Sequence, residues 1–274
     1  MKELTSLDKL DIYIPSLGRC GRVLTLDHIP GPWLKHTYIV VNTDEQKQYK
    51  KEYGDDMIMV SPVNGIASVR QWVLENCLSR YALFLDDDMS FSHRTSEKKL
   101  KKTRGWDVKK MLQLLISWLD EGFAHVGISP RFGNFQVEEP WVEVGRMNNA
   151  YAYNVDTFLT TGVRFDRLEV MEDFDVTLSL LEKGFPNRIT YEYAWAQKKS
   201  GDVGGCSAYR TSQMQEKAAH ELKKLHPKYV KVVQKESKVK WEGFDSKIRT
   251  DVNISWKKAY RVKIDKNKGI SRFL

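Results

Sequence analysis

The chain has 274 residues, 41% of them hydrophobic and 29% charged, with a net charge of +8. That much apolar material can build a sizeable core and excludes wholesale disorder, and no apolar run approaches the roughly 18 residues that span a bilayer. The opening MKELTSLDKLDIYIP has no hydrophobic leader, and Cys20, Cys77 and Cys206 form no C-x-x-C, so a cytoplasmic chain with reduced structural thiols is expected.

In chain order, LDIYIPS alternates and stops at Pro15, which predicts a first strand followed by the loop SLGRCGR. HTYIVVN predicts a second strand ending at Asn42-Thr43-Asp44-Glu45, and MIMVSP a third. In IASVRQWVLENCL, Ile66, Val69, Val73, Leu74, Cys77 and Leu78 recur at helical spacing. YALFL predicts a fourth strand, VKKMLQLLISWLDEG an amphipathic helix closed by Gly122, and HVGISP a fifth strand. VMEDFDVTLSLLEKG predicts a helix with acids in its first turn and a glycine stop. From Gln197 onward, basic helix-like segments mix with aromatics. Strands that alternate with helices and are nearly continuously apolar imply an α/β fold, with a mainly parallel sheet covered by helices on both faces. No internal repeat interrupts it.

The fourth strand runs straight into Asp86, Asp87 and Asp88. Three adjacent carboxylates repel, and burying one unpaired costs several kcal/mol, on the order given by. A solvated acidic turn is one explanation. A ligand site is the other, since open α/β sheets bind ligands beyond the carboxyl ends of their strands. The central, buried strand and the Met89 that follows favour the site. Asp86 and Asp88 are hard oxygen donors suited to Mg²⁺ or Mn²⁺, which keep waters and bind substrate phosphates. A metal-bound di- or triphosphate is therefore implied, with Asp87 turned away to cap the loop or touch a ribose.

IYIPSLGR, then NGIASVRQWVLENC with YALFLDDDM, then MEDFDVTLSLLEKG resemble the successive motifs of GT-A-type glycosyltransferases over roughly residues 10 to 210. With SGDVGGCSAYRT after the acidic helix and a basic WKKAY tail, the chain is similar to the TET-associated glycosyltransferases, found largely in bacteriophages and acting on hydroxymethylated pyrimidines in DNA. The resemblance implies a Rossmann-like mixed sheet and sugar transfer from a nucleotide-diphosphate sugar, a UDP-sugar first, with a divalent metal. It implies that Ser16 and Arg19 contact the donor nucleotide, Asp44 its base or ribose, and that Arg70 faces the donor. Arg suits phosphate through its planar donors, and Gly204 and Gly205 would cradle a diphosphate with backbone N–H groups. Asp173 is the implied base of an inverting transfer, with Glu172 as orienter and Asp175 as second choice; under retention Asp173 binds the acceptor instead. Many GT-A enzymes add a downstream His ligand; here His220, on an apparent helix, is the candidate, and a surface or core histidine is the plainer reading of it.

Charge is unevenly spread. From Gln197 onward 20 Lys and Arg face 8 Asp and Glu, whereas residues 1–196 carry 24 against 28. This asymmetry points to a polyanionic partner. The expected organisation is a GT-A-like catalytic domain over residues 1–210 and a basic extension over 211–274, packed on it and contacting the acceptor. Lys257, Lys258 and Arg261 are its candidate phosphate contacts and Trp256 its candidate stacking residue. RTSEKKLKKTR adds a second basic stretch beside the metal site. A hydroxymethyl group on a pyrimidine lies in the major groove, and seating it in an active site calls for base flipping. The rivals are a glycan or protein acceptor, a sugar-nucleotide nucleotidyltransferase whose full Gly-rich signature SLGRCGR lacks, and a DNA-binding module that leaves the acids unexplained.

Overall fold

The computed structural model describes residues 7–96, 99–197, 205, 210–236 and 248–260. The first half contains β1 (Leu10–Pro15), α1 (Gly31–Leu34), β2 (Thr37–Asn42), α2 (Gln46–Tyr53), β3 (Ile58–Ser61), α3 (Ile66–Asn76), β4 (Tyr81–Leu85), β5 (Met89–Ser96), β6 (Lys99–Lys102) and α4 (Gly105–Asp120). There follow β7 (His125–Pro130), β8 (Trp141–Glu143), β9 (Ala150–Asn154), α5 (Val155–Thr161), α6 (Glu172–Glu182) and β10 (Asn187–Gln197). The last described part is α7 (Ser212–Leu225), the hairpin β11 (Val230–Glu236) and β12 (Ile248–Ile254), and the short α8 (Trp256–Ala259).

Ten strands form one sheet in the order β3-β2-β1-β4-β9-β7-β10-β5-β6, with β8 beside β10. Seven run in one direction, and β5, β8 and β9 oppose them. The five strands predicted from sequence are all in the parallel set. β4 is buried at every position. Its Leu83 and Leu85 join a cluster with Val108, Leu112 and Leu115 of α4, while Ala82 and Phe84 join α3 and α6 on the opposite face, the two-residue period of a strand. The Phe84 ring meets Tyr13, Tyr151, Tyr153 and Phe165, so Phe84→Ala would cost about 3–5 kcal/mol.

The helix ends follow their chemistry. Asp107 accepts the Arg104 backbone N–H at 2.8 Å to open α4, and Gly122, at φ +103°, closes it as predicted. α6 has two apolar faces. Val176 and Leu180 pack on the sheet, whereas Leu178 and Leu181 pack with Ala218, Leu222, Val230 and Val252 of the C-terminal unit. Among the described residues no helix is long and apolar enough to cross a membrane. Cys20 and Cys77 are free, and Cys206 lies outside the described residues.

Candidate active site

A cleft of about 780 Å³ opens at the carboxyl ends of β1 and β4. The three acids after β4 are held by different partners, which is how the chain tolerates them side by side. Asp86 accepts from Arg70 at 3.1 Å through Oδ1, and from Asn149 at 2.5 Å and Gln197 at 2.7 Å through Oδ2. Buried Asp87 accepts from the Ser16 hydroxyl at 2.7 Å and from Arg19. Arg19 reaches Asp88 Oδ2 as well, at 3.1 Å. Thr25 braces the backbone, donating its hydroxyl to the Asp86 carbonyl at 2.5 Å and accepting the Met89 N–H at 2.9 Å.

Burial pushes the Asp87 and Asp88 carboxyls above the usual carboxylate range; Arg19 pulls both back, and the neighbouring acids add to the push. Asp88 Oδ1 is buried and has no hydrogen-bond partner among the described residues. An orphaned oxygen of this kind costs roughly 1–3 kcal/mol, and it is the donor that a hard cation takes. Asp86 is less available, since Oδ2 already accepts twice and Oδ1 keeps one lone pair. No cluster of three His, Cys, Asp or Glu forms among the described residues, so a cation here would complete its shell with water and phosphate oxygens.

Across the cleft, Met171, a non-glycine residue at φ 64°, caps the start of α6. That left-handed turn costs about 1–2 kcal/mol and delivers Glu172 and Asp173 to the opening. Glu172 is buried and accepts from Arg70 at 2.5 Å. Arg70 lies 5.3 Å over the Tyr151 ring and joins Asp86 to Glu172. Half-buried Asp173 accepts the Phe174 N–H at 2.9 Å through Oδ1, and no described residue donates to Oδ2. Burial pushes the Glu172 and Asp173 carboxyls up; Arg70 opposes this most strongly at Glu172, and Arg146 at Asp173.

The third wall comes from the C-terminal unit. Lys235 of β11 and Arg249 of β12 both bond Asp251, at 3.0 and 3.2 Å, and all three line the cleft with Trp256. Trp256 meets Phe174 edge to face, with ring centroids 5.8 Å apart, and the Arg146 guanidinium lies 4.7 Å over the other partner ring, Phe174. An aromatic pair flanked by cations thus stands beside Asp173. Lys257 and Lys258 are exposed on α8.

The structure brings Arg19, Arg70, Asp86, Asp87, Asp88, Glu172, Asp173, Gly205 and Trp256 together. It changes several expected roles. Ser16 is buried, its hydroxyl shared between Asp87 and Tyr49, so it braces the loop and is not open to a nucleotide. Asp44 is exposed on the turn after β2 and does not line the cleft; the adjacent Glu45 takes the loop contact, accepting the Gly18 N–H at 2.9 Å. Both terminal nitrogens of Arg70 face carboxylates, which makes it a clamp between β4 and α6. The Gly205 N–H donates to the Leu17 carbonyl at 2.8 Å and is not left for a diphosphate. Gly205 is required there for another reason: at φ +66° a side chain would be strained, and its Cβ would stand 3.4 Å from the Arg19 guanidinium. Gly204 and Arg261 lie outside the described residues. Asp175, the second-choice base, is fully buried, bonded by Arg167 at 2.8 Å and lying 2.8 Å from His226. His220 is exposed on α7 and away from the cleft.

Several cleft residues escaped the sequence reading: Arg146, Asn149, Phe174, Gln197, Lys235 and Arg249. One signal existed. Asn148-Asn149 is a polar pair directly before the apolar run AYAYN, and because β9 runs antiparallel to β4, residues entering β9 sit beside those leaving β4.

Residues 10–205 match the profile of the family described as TET-Associated Glycosyltransferase. The β-glucosyl-HMC-α-glucosyl-transferases of Enterobacteria phages T6 and T2 are 23% and 22% identical over 232 residues, covering 80% of this chain and 81% of each relative. S. aureus TarS 1-349 in complex with UDP-GlcNAc superposes with a TM-score of 0.53 at 17% identity, over 79% of this chain and 66%, just under two thirds, of that one. Glucosyl-3-phosphoglycerate synthase from Mycobacterium tuberculosis, in complex with Mg²⁺ and UDP, gives 0.50 at 12% identity over 85% of this chain and 89% of its own. These structural likenesses are likenesses of fold, the GT-A-type mixed sheet. With a family profile that spans residues 10–205, the chain is a glycosyltransferase and belongs to the TET-associated glycosyltransferase family.

Proposed function

We propose that the chain moves a sugar from a nucleotide-diphosphate sugar, a UDP-sugar first, to the hydroxyl of a hydroxymethylated pyrimidine in DNA, as a metal-dependent phage enzyme. One observation carries this reading. Asp88, with its orphaned buried oxygen, and Asp173, with an oxygen open beside the Phe174–Trp256 pair, face the same cleft. The first suits a donor diphosphate and the second an acceptor hydroxyl. In this reading residues 1–210 hold the donor and the chemistry, and the unit from residue 211 presents the acceptor.

Asp88, helped by the remaining lone pair of Asp86, would hold Mn²⁺ or Mg²⁺. Such a cation, when bound, neutralises charge on the leaving diphosphate, a Lewis-acid contribution of several kcal/mol. Arg19 fixes the orientation of Asp87 and Asp88. Asp173 takes the acceptor proton at Oδ2 while the Phe174 N–H holds Oδ1 in place. Its raised pKa makes it a better base near neutral pH than an ordinary carboxylate. Phe174 and Trp256 offer a flipped base an aromatic surface. The names of the phage relatives support modified DNA as acceptor.

Those names also favour a second reading, because they specify α-glucosyl transfer onto a β-glucosyl group already on the base. From an α-configured donor, an α-linked product means retention, and Asp173 then binds the acceptor hydroxyl without deprotonating it. Mass spectrometry separates the readings, using hydroxymethylated DNA and the same DNA already β-glucosylated, each with a panel of nucleotide sugars and Mn²⁺. One added sugar on hydroxymethylated DNA is expected. Addition to the glucosylated DNA alone selects the second reading, and addition to neither, with transfer to a glycan or protein, rejects DNA.

A further inference from the structure

A second surface on the sheet edge that carries the acid triplet has a composition of its own. β6 runs in the parallel direction, so its end at Lys102 and the following Arg104 lie on the same sheet edge as Asp86–Asp88. β7 ends on that edge too and leads into Arg131 and Phe132; the Arg131 N–H bonds the Trp195 carbonyl at 2.7 Å. From Lys99 to Lys110 six Lys and Arg stand against a single acid, Asp107. That acid is buried in the first turn of α4. Lys101, Lys102, Arg104 and Arg131 are exposed. Among them stand Phe132, 94% exposed, and Trp106, 56% exposed, with the Lys110 ammonium 4.6 Å over the indole ring.

Lysines on an edge strand have a simpler explanation, since they keep β6 from pairing with another chain. That does not account for two large aromatics left in water at the catalytic edge. β5 leaves the acid triplet at Met89, and Lys102 of β6 pairs with Ser92, four residues past Asp88, so the rim stands beside the cleft, within roughly 18 Å of the triplet. The charge there calls for a polyanion whose bases can stack. We propose that this rim is a second DNA-docking surface: Lys101, Lys102, Arg104 and Arg131 take backbone phosphates, and Phe132 stacks against bases beside the target nucleotide, as wedge side chains do in distorted duplexes. With α8 as the other grip, DNA is held at two places and opened where one base must leave the stack.

This rests on the DNA reading above, and the experiment separates the two. Binding of hydroxymethylated duplex, with 2-aminopurine next to the target base, is measured by anisotropy and fluorescence at several salt concentrations. The proteins are wild type, Lys101→Ala with Lys102→Ala, and Phe132→Ala, with hydrolysis of the nucleotide sugar and light scattering as controls. The lysine variant should lose up to about 1.8 units of log–log salt slope. Phe132→Ala should keep the slope, bind about 5- to 150-fold more weakly, and lose the 2-aminopurine signal. Donor hydrolysis should be unchanged in both. If wild type binds DNA and neither variant differs, the rim is overturned and the DNA reading stands. If Phe132→Ala instead dissolves a dimer, the surface belongs to a second copy of this chain. If wild type binds no DNA, both proposals fall.

Discussion

Replacing Asp173 with Asn tests the division of labour in the cleft most directly. The amide retains an Oδ1 that accepts the Phe174 N–H, now at 2.9 Å, so the first turn of α6 keeps its contact. What disappears is the oxygen able to take a proton. The variant also loses a charge that raises the Glu172 carboxyl, so its stability should be unchanged or slightly higher. A positioned general base is worth about 10²–10⁴-fold, or roughly 2.7–5.4 kcal/mol at 1.36 kcal/mol per tenfold. kcat should therefore fall at least about 10²-fold while donor affinity holds. The pH profile carries a sign. Burial raises the Asp173 carboxyl, and only its ionised form accepts a proton, so wild-type rates should climb as pH rises through that elevated value. At saturating Mn²⁺ the residual rate of the variant should lack this limb. Initial rates of labelled-sugar transfer between about pH 5 and 8, with calorimetric titration of the donor, provide both numbers. Unchanged kcat with weakened donor binding would place Asp173 on the donor and refute the assignment.

Asp88→Asn should abolish turnover yet raise the thermal stability of metal-free protein near neutral pH. The folded-state carboxyl lies above its unfolded value, so its contribution to stability is lost as pH rises through the raised value; melts with and without Mn²⁺ check this, and full activity in excess chelator would rule out the metal. Arg70→Met leaves Asp86 and the buried Glu172 without their shared cation and should cost about 3–5 kcal/mol in urea unfolding. Adding Glu172→Gln should recover part of that loss, and a cost below about 1 kcal/mol would mean that solvent already screens the pair. Lys257→Ala with Lys258→Ala should flatten the salt dependence of DNA binding by up to about 1.8 log–log units. Trp256→Ala should weaken binding by roughly 1–3 kcal/mol with the slope unchanged, and identical slopes in wild type and the lysine variant would reject α8 as a phosphate contact.

What the sequence made legible followed from periodicity. β1, β2, β3, β4 and β7 are short apolar runs between clear helices or turns, and all were predicted with their direction. β5, β9 and β10 were not. β10 changes register against β7 between Thr190 and Ala194, which breaks the alternation of NRITYEYAWAQ. β5 carries Ser90, Ser92 and Arg94 on alternate positions, and Arg94 is satisfied by Asn134 at 2.7–3.2 Å, a partner 40 residues away. In the site, the strand-end rule located the acids but not their partners. Arg70 joins residues 16 and 102 positions distant, and nothing local distinguishes a clamp from a free phosphate ligand. The partners of Ser16 and Gly205 are equally illegible, since their polar groups are taken by Asp87, Tyr49 and Leu17, all distant in sequence or unmarked by it. Lys235 and Asp251 meet only because β11 pairs with β12 in one register, and the eleven residues between the strands do not reveal that register.

α6 belongs to two cores at once, and this explains how the catalytic edge holds its geometry. Val176 and Leu180 fix the helix to the sheet, while Leu178 and Leu181 fix it to α7 and the hairpin. Asp175 is buried between them, held by Arg167 and His226, and His226 in turn lies 2.7 Å from Glu182. A helix pinned on both sides can support the left-handed Met171 at its start, whose strain of about 1–2 kcal/mol would otherwise favour unwinding the first turn. That turn is where the two walls meet: Glu172 reaches the acid triplet through Arg70, and Phe174 reaches the C-terminal unit through Trp256. The C-terminal unit is therefore a wall of the cleft. Without Lys235, Arg249, Asp251 and Trp256, the acids would lie on an open shelf where water competes with any acceptor hydroxyl for the activated sugar. Enclosure strengthens each charge–charge contact inside the cleft and suppresses that hydrolysis. On the proposed function the same elements would both select the acceptor and protect the donor, and a substitution that loosens α8 from Phe174 should favour hydrolysis over transfer before it reduces donor binding.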